Sequence, residues 1–176
     1  GLTNFTFAGN IGKVQNLENI INAFSLLPNS LQFKAQLNII GDGSNLENLK
    51  CIANGNINIV FHGKKLREDM ASYYAASDFL IVSLIDKPIF SVTVPAKTQT
   101  YIAAKKPILA VINGDTADIV LSNSLGISVN PSEINDISDG FKQCIEMTKN
   151  ERDSFVINND ELLETTFNKH KIIDDL

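Results

Sequence analysis

The chain has 176 residues, enough for one domain with a sizeable core. Hydrophobic residues make up 44% and charged residues 20%, the balance of an ordinary globular protein. A net charge of −5 leaves no broad basic field for nucleic acid or an acidic membrane surface, and no apolar run is long enough to span a bilayer.

Strand-like and helix-like runs alternate from the start. The first strand is predicted over Phe5–Ala8. Leu17, Ile20, Ile21, Phe24 and Leu27 then recur at helical spacing, up to a stop signal at Pro28-Asn29-Ser30. Gln36–Ile40 is the second strand, and Leu46, Leu49 and Ile52 mark a helix that Ser44 is placed to cap. The third strand is Ile57–His62, followed by a helix through Leu66, Met70 and Tyr73 or Tyr74. Phe79–Leu84 forms the fourth, and a long apolar loop, Ile85–Pro95, leads into a short helix containing Lys97 and Tyr101–Ala104. Ile108–Ile112, a helix at Ile119–Leu121, Ile127–Val129 and a longer helix through Ile134, Ile137, Phe141 and Ile145 complete the pattern. Glu151–Leu176 reads as charged and helical, with Phe155, Leu162, Leu163, Phe167, Ile172 and Ile173 as apolar points.

Several strands are nearly continuous apolar runs, as expected where parallel strands are covered on both faces. Regular alternation then implies a Rossmann-like, doubly wound α/β fold: six parallel strands in the order 3-2-1-4-5-6, with helices on both faces, in one domain over residues 1–176. Cys51 and Cys144 each sit in a helical pattern without metal-type spacing, and read as two small buried hydrophobes in a reducing compartment.

Open sheets of this kind bind ligands beyond the carboxyl ends of their strands, at the switch point between strands 1 and 4. The loops there are Gly9–Asn16 and Ile85–Pro95. The first offers glycines for close backbone approach, Lys13 as a charge, and the Asn10 and Gln15 amides. Gly9 and Gly12 do not make the dinucleotide fingerprint, which disfavours nicotinamide or flavin. A plain solvated turn explains the same residues. Gly41-Asp42-Gly43 after strand 2 reads first as a strand-to-helix turn. Gly63-Lys64-Lys65 after strand 3 reads as a solvated face or a phosphate clamp. His62 reads as an ordinary strand-end residue or the border of a base pocket.

Thr93-Val94-Pro95-Ala96-Lys97 carries the sharpest signal. A loop entering a helix after a parallel strand aims free N–H groups and a positive helix end at one point, which suits a phosphate. Lys97 in the first turn conflicts with that helix end unless an anion lies beside it. Gln99 and Thr100 are candidates for bonding sugar hydroxyls, or are simply a polar helix face. Asp115 and Asp118 read as structural capping residues, His170 as a surface residue, and Asp174-Asp175 as a tail charge cluster. No metal-binding DxD follows a strand, and two histidines assemble no nucleophilic triad.

From about Asn4 to Leu176 the chain resembles the C-terminal, donor-binding domain of family-4-type retaining glycosyltransferases of the GT-B fold. The resemblance is carried by Phe7-Ala8-Gly9-Asn10-Ile11-Gly12, Asn38-Ile39-Ile40-Gly41-Asp42-Gly43, Ile59-Val60-Phe61-His62-Gly63, Tyr74-Ala75-Ala76-Ser77-Asp78-Phe79-Leu80-Ile81, Val94-Pro95-Ala96-Lys97 through Pro107, and Leu125-Gly126-Ile127-Ser128-Val129. The Gly-Asn-Ile-Gly-Lys-x-Gln and Val-Pro-x-Lys forms are similar to a branch acting in bacterial surface-polysaccharide assembly.

The resemblance implies transfer of a sugar from a nucleoside-diphosphate sugar to a glycan or lipid-linked acceptor, without a metal or other cofactor. The implied site is Gly9, Asn10, Gly12, Lys13, Gln15, Gly41, Gly63, Thr93, Val94, Lys97, Gln99 and Thr100. It also implies an N-terminal, acceptor-binding domain, which this stretch does not contain. The expected setting is cytoplasmic, peripheral to the inner face of the membrane in the full enzyme. The opening at Gly1, which fits a cloning remnant, is what a fragment of something longer would show.

This chain departs from the pattern twice. The family's usual basic pair falls on Asn10 and Gln15, and its two glutamates on Val92 and Thr100. These departures keep a rival in view: a non-catalytic interaction domain, or one subunit of a split transferase. An unrelated small-ligand Rossmann domain is disfavoured by the order of the motifs.

Overall fold

A computed structural model describes residues 1–165 and 167. The expected helix through Ile172 and Ile173, His170 and Asp174-Asp175 therefore lie outside the described residues.

Six parallel strands form one sheet in the order β3-β2-β1-β4-β5-β6, as the alternation implies. They are β1 (Thr3–Ala8), β2 (Ala35–Ile40), β3 (Ile59–Gly63), β4 (Phe79–Ser83), β5 (Ile108–Val111) and β6 (Gly126–Val129). The helices are α1 (Leu17–Ser25), α2 (Asn29–Gln32), α3 (Leu46–Ala53), α4 (Met70–Ala76), α5 (Pro88–Ser91), α6 (Ala96–Ala103), α7 (Asp115–Ser122), α8 (Ile134–Glu146), α9 (Lys149–Ser154) and α10 (Asn159–Thr165).

Strand parity divides the core in two. Phe79, Ile81, Leu109 and Val111 join Phe5, Phe7 and Phe24 on one face, against α1, α3 and α8. Leu80, Val82, Ile108 and Ala110 point to the other, where Tyr101, Ile102 and Val120 of α6 and α7 meet them. On the first face Phe5 stacks on Phe79 at 5.5 Å and meets Phe141 edge-on at 4.8 Å. Each such fully buried ring contributes about 1.5–3 kcal/mol. At the opposite end of the sheet from the strand-end loops, Arg152 pairs with Asp78 at 3.2 Å, and Asp78 also accepts from the Asn4 N–H at 2.7 Å.

Several local expectations are corrected. Strand 3 starts at Ile59, not Ile57; Asn56 accepts from the Asn58 N–H in a tight turn, and Ile57 stands 80% exposed. The first helix ends at Ser25, and Pro28 opens the one-turn α2 instead of simply ending a helix. Asn45 rather than Ser44 stands at the head of α3, without a side-chain cap. Asp115 and Asp118 lie in the first turn of α7 but make no cap bond, so they act there by charge alone. Cys144 is buried and Cys51 is exposed, because Cys51 lies about 200° round α3 from buried Leu49 at 3.6 residues per turn. Between Thr148 and Thr165 the expected helical character takes the form of two short helices, α9 and α10, the first opened by a Thr148–Glu151 capping box.

Candidate functional site

β1 pairs with β2 along its whole length but with β4 only at Phe5↔Phe79 and Thr6↔Leu80. The two strands therefore part before their carboxyl ends, and a crevice opens between them. The Ala8 backbone would be left unpaired on the β4 side. Tyr101 of α6 supplies the missing partner: its hydroxyl accepts from the Ala8 N–H at 3.3 Å and donates to the Ala8 carbonyl at 3.4 Å. Burial raises the pKa of this phenol, so it stays protonated as that bond requires.

Beyond Ala8 the chain crosses the crevice. A 3-10 turn at Lys13–Gln15 docks on the end of β4, where Ser83 Oγ donates to the Gln15 carbonyl at 2.6 Å and the Ile85 N–H to the Val14 carbonyl at 2.9 Å. Asn16 then takes a left-handed conformation (φ 59°) and starts α1. Its side-chain amide donates to the Pro131 carbonyl at 2.9 Å, tying in the loop after β6.

On the other side, the loops after β1 and β2 are closely fitted. The Ile11 N–H donates to the Asp42 carbonyl at 2.9 Å, and the Ile11 carbonyl accepts from the Asn45 N–H at 3.0 Å. Gly41 has φ 140°, and a Cβ there would overlap the Gly9 carbonyl oxygen. Between these loops and the start of α4 lies a cleft of ≈ 530 Å³, with Gly9, Gly41 and Gly43 on its backbone side, Met70 and Tyr74 as its apolar wall, and Lys64 among its charges. His62 does not line it; its Nε2 bonds Asn38 Oδ1 at 2.8 Å and its ring meets Tyr73 edge-on.

Lys97 stands where the two halves meet. It is partly buried at the second position of α6, and its Nζ lies 3.9 Å from the centroid of the Phe7 ring and 3.4 Å from Gln15 Oε1. A Cβ on Gly9 would come within 2.8 Å of that nitrogen, so the glycine leaves the ammonium its space. Among the described residues no carboxylate pairs with it. Burial lowers its pKa from the usual lysine value to about 8.

The structure thus brings together Gly9, Gln15, Gly41 and Lys97, with Asn10 on the cleft. Gly63 (φ 69°) ends β3 and accepts from the Gly41 N–H, supporting the cleft from behind. Gly12 has an ordinary φ of −103° and Lys13 is exposed. Thr93 is spent on its own loop: its hydroxyl donates to the Ile89 carbonyl and its carbonyl accepts from Thr116. Val94 is half-buried beside it. Gln99 and Thr100 are exposed on α6; Thr100 flanks Lys97, while Gln99 lies about 200° round the helix. Phe7, Tyr101, Met70 and Tyr74 were absent from the expected set. In the sequence Tyr101 stands only as a member of the short helix that contains Lys97.

Among the described residues no group of three His, Cys, Asp or Glu could hold a metal ion, and no helix is long and apolar enough to cross a membrane.

Residues 3–161 match the family described as Glycosyl transferases group 1. A probable glycosyltransferase of Pseudomonas aeruginosa, WbjE, is 30% identical over 133 residues, which are 73% of this chain and 32% of that protein. The chain therefore spans about a third of that relative's length. Among solved structures, Anabaena Alr3699/HepE, in complex with UDP and glucose, superposes with a TM-score of 0.78 at 14% identity, over 99% of this chain and 48% of its own. The C-terminal domain of LpcC, a group 1 glycosyl transferase of Francisella tularensis, gives a TM-score of 0.73 at 19% identity, over 94% of this chain and 86% of its own. At these identities the structural likeness is one of fold.

Proposed function

The chain belongs to the group 1 glycosyl transferases, and from that premise we propose that it is the donor-binding domain of a glycosyltransferase and holds a nucleoside-diphosphate sugar. The observation that carries the reading is a partly buried ammonium, paired with no carboxylate among the described residues, at the mouth of the β1–β4 crevice and beside a cleft of nucleoside size. The diphosphate lies against Lys97, with the first-turn N–H groups of α6 behind it. The nucleoside enters the cleft, where Met70 and Tyr74 give an apolar wall for a flat base. Gly9, Asn10, Gly12, Lys13, Gln15, Gly41, Gly63, Thr93, Val94, Gln99 and Thr100 complete the site, as ligand contacts or as the loops that carry them.

When the glycosidic bond to the donor breaks, negative charge grows on the leaving diphosphate. Lys97 and the α6 dipole already point at that charge, and the surrounding apolar wall strengthens the attraction. The sugar passes with retention of configuration to a glycan or lipid-linked acceptor held by a second, N-terminal domain, in bacterial surface-polysaccharide synthesis at the cytoplasmic side of the membrane. HepE, solved with UDP and glucose, supports a uridine diphosphate donor. The partial coverage of WbjE supports a second domain.

Ligand-observed NMR with UDP, GDP, ADP, CMP and UDP-sugars tests the reading. We expect one nucleoside diphosphate to bind, and Lys97→Met to abolish the binding. Absence of binding by any of them at millimolar concentration would overturn it. That result would favour the non-catalytic domain, to which the exposed Val92 and Thr100 already point in place of the family's glutamates.

A further inference from the structure

A lysine that waits for an anion faces a conflict. Left loose, it loses side-chain entropy when it binds. Held by a carboxylate, it is ordered but its charge is already spent. Lys97 escapes both. Among the described residues its two close partners are the Phe7 ring face at 3.9 Å and the Gln15 amide oxygen at 3.4 Å, neither of which carries a formal charge.

Both partners are themselves fixed. Phe7 is fully buried in β1, packed in the main core. Gln15 ends the 3-10 turn whose backbone is bolted to β4 by Ser83 Oγ at 2.6 Å. The lysine comes from a third element, α6, which Tyr101 anchors to Ala8, the residue after Phe7. Three separate chain segments thus converge on one nitrogen. A ring face attracts a cation through its quadrupole, and an amide oxygen through its dipole. Both hold the ammonium in place and leave its full charge for a ligand.

We propose that Phe7 and Gln15 are positioning residues that form a neutral seat for the Lys97 ammonium, keeping it ordered and un-neutralised for the phosphate groups of the ligand. The proposal rests on the donor-site reading and adds two residues that act through Lys97. It also explains why a glutamine, and not an acid, stands at position 15: a carboxylate there would grip the lysine harder and cancel it.

Gln15→Glu separates the seat from simple structural support, since it keeps shape and changes only charge. The probe is inorganic pyrophosphate, measured by calorimetry, together with the Lys97 side-chain NMR signals in the ligand-free chain. In the wild type we expect the Lys97 Cε protons to be shifted upfield by the Phe7 ring current. In Gln15→Glu the lysine titrates at higher pH, yet pyrophosphate binds at least tenfold more weakly. In Phe7→Leu the upfield shift disappears and affinity falls about tenfold. Gln15→Met, which removes only the amide oxygen, gives a smaller loss.

Lys97 signals at ordinary positions in the wild type would overturn the seat. So would unchanged pyrophosphate affinity in both Gln15→Glu and Phe7→Leu while Lys97→Met abolishes binding; the donor-site reading would survive that result. Loss of the donor-site reading looks different: the wild type binds no pyrophosphate, while the ring-current shift remains.

Discussion

The fit between the β1 and β2 loops can be tested with two glycines of similar backbone character and different surroundings. Gly63 has φ 69° and open space where a Cβ would stand; Gly41 has φ 140° and the Gly9 carbonyl oxygen in that place. Alanine at Gly63 has only to adopt a left-handed backbone, at a cost of about 1–2 kcal/mol. Alanine at Gly41 meets comparable or larger strain, about 1–3 kcal/mol, and must also push β1 and β2 apart. Moving Gly41 off Gly9 threatens both the Gly9 N–H···Ile40 carbonyl bond toward β1 and the Gly41 N–H···Gly63 carbonyl bond toward β3, each 3.0 Å long. At about 1 kcal/mol each, they bring the expected loss to roughly 3–5 kcal/mol. Urea unfolding followed by far-UV circular dichroism would resolve the difference. With a slope near 2 kcal/mol/M, the Gly41→Ala midpoint falls by about 2 M and the Gly63→Ala midpoint by less than about 1 M. Equal midpoints at equal slopes would refute the argument, because they would mean that the Gly9–Gly41 contact carries no structural weight.

Other consequences are equally open to measurement. Lys97 has its folded pKa lowered to about 8, below its ordinary value near 10.5, so between those limits the unfolded chain binds more protons than the folded one. Wild-type stability should therefore rise with pH across that window relative to Lys97→Met; parallel stability curves for the two proteins would contradict the assignment. Diphosphate affinity should fall above about pH 8 as the ammonium of the free protein is lost, and an isothermal titration that stays flat to pH 9.5 would count against Lys97 as the anion's partner. Asn16→Gly keeps the left-handed backbone but removes the bond to the Pro131 carbonyl, and should cost about 1 kcal/mol in thermal or urea unfolding. Arg152→Met strips the partner from half-buried Asp78 and should destabilise by about 1–3 kcal/mol without changing nucleotide binding, since it lies at the opposite end of the sheet.

The fold was largely legible because its signals are local. β5 is an unbroken apolar run and β4 is one as far as Val82, and α1 and α8 show clear helical periods. α2, α5 and the 3-10 turn are at most four residues long, too short for a period to show. Cys51 was misplaced although its own helix held the answer, since the period that buries Leu49 and Ala53 turns position 51 outward. The glycines and Lys97 could be picked out by residue type. Their arrangement could not, because it rests on contacts between distant segments. Tyr101 and Ala8 are 93 positions apart, and Lys97 and Gln15 are 82 apart. No spacing rule connects such pairs; only the parting of β1 from β4 makes room for them.

The anchoring of α6 has a mechanical side. Its hydrogen bonds to β1 come from one hydroxyl, placed on both polar atoms of Ala8, and Lys97 lies one helical turn away on the same side of the helix. That separation, about 6 Å between Cα atoms, is a lever arm. Tilting α6 by about 10° about the hydroxyl carries the lysine roughly 1 Å, comparable to the misplacement that spoils a reacting geometry. The proposed grip on an anion would therefore respond to a motion smaller than a side-chain rotamer change, with every strand of the sheet left in register.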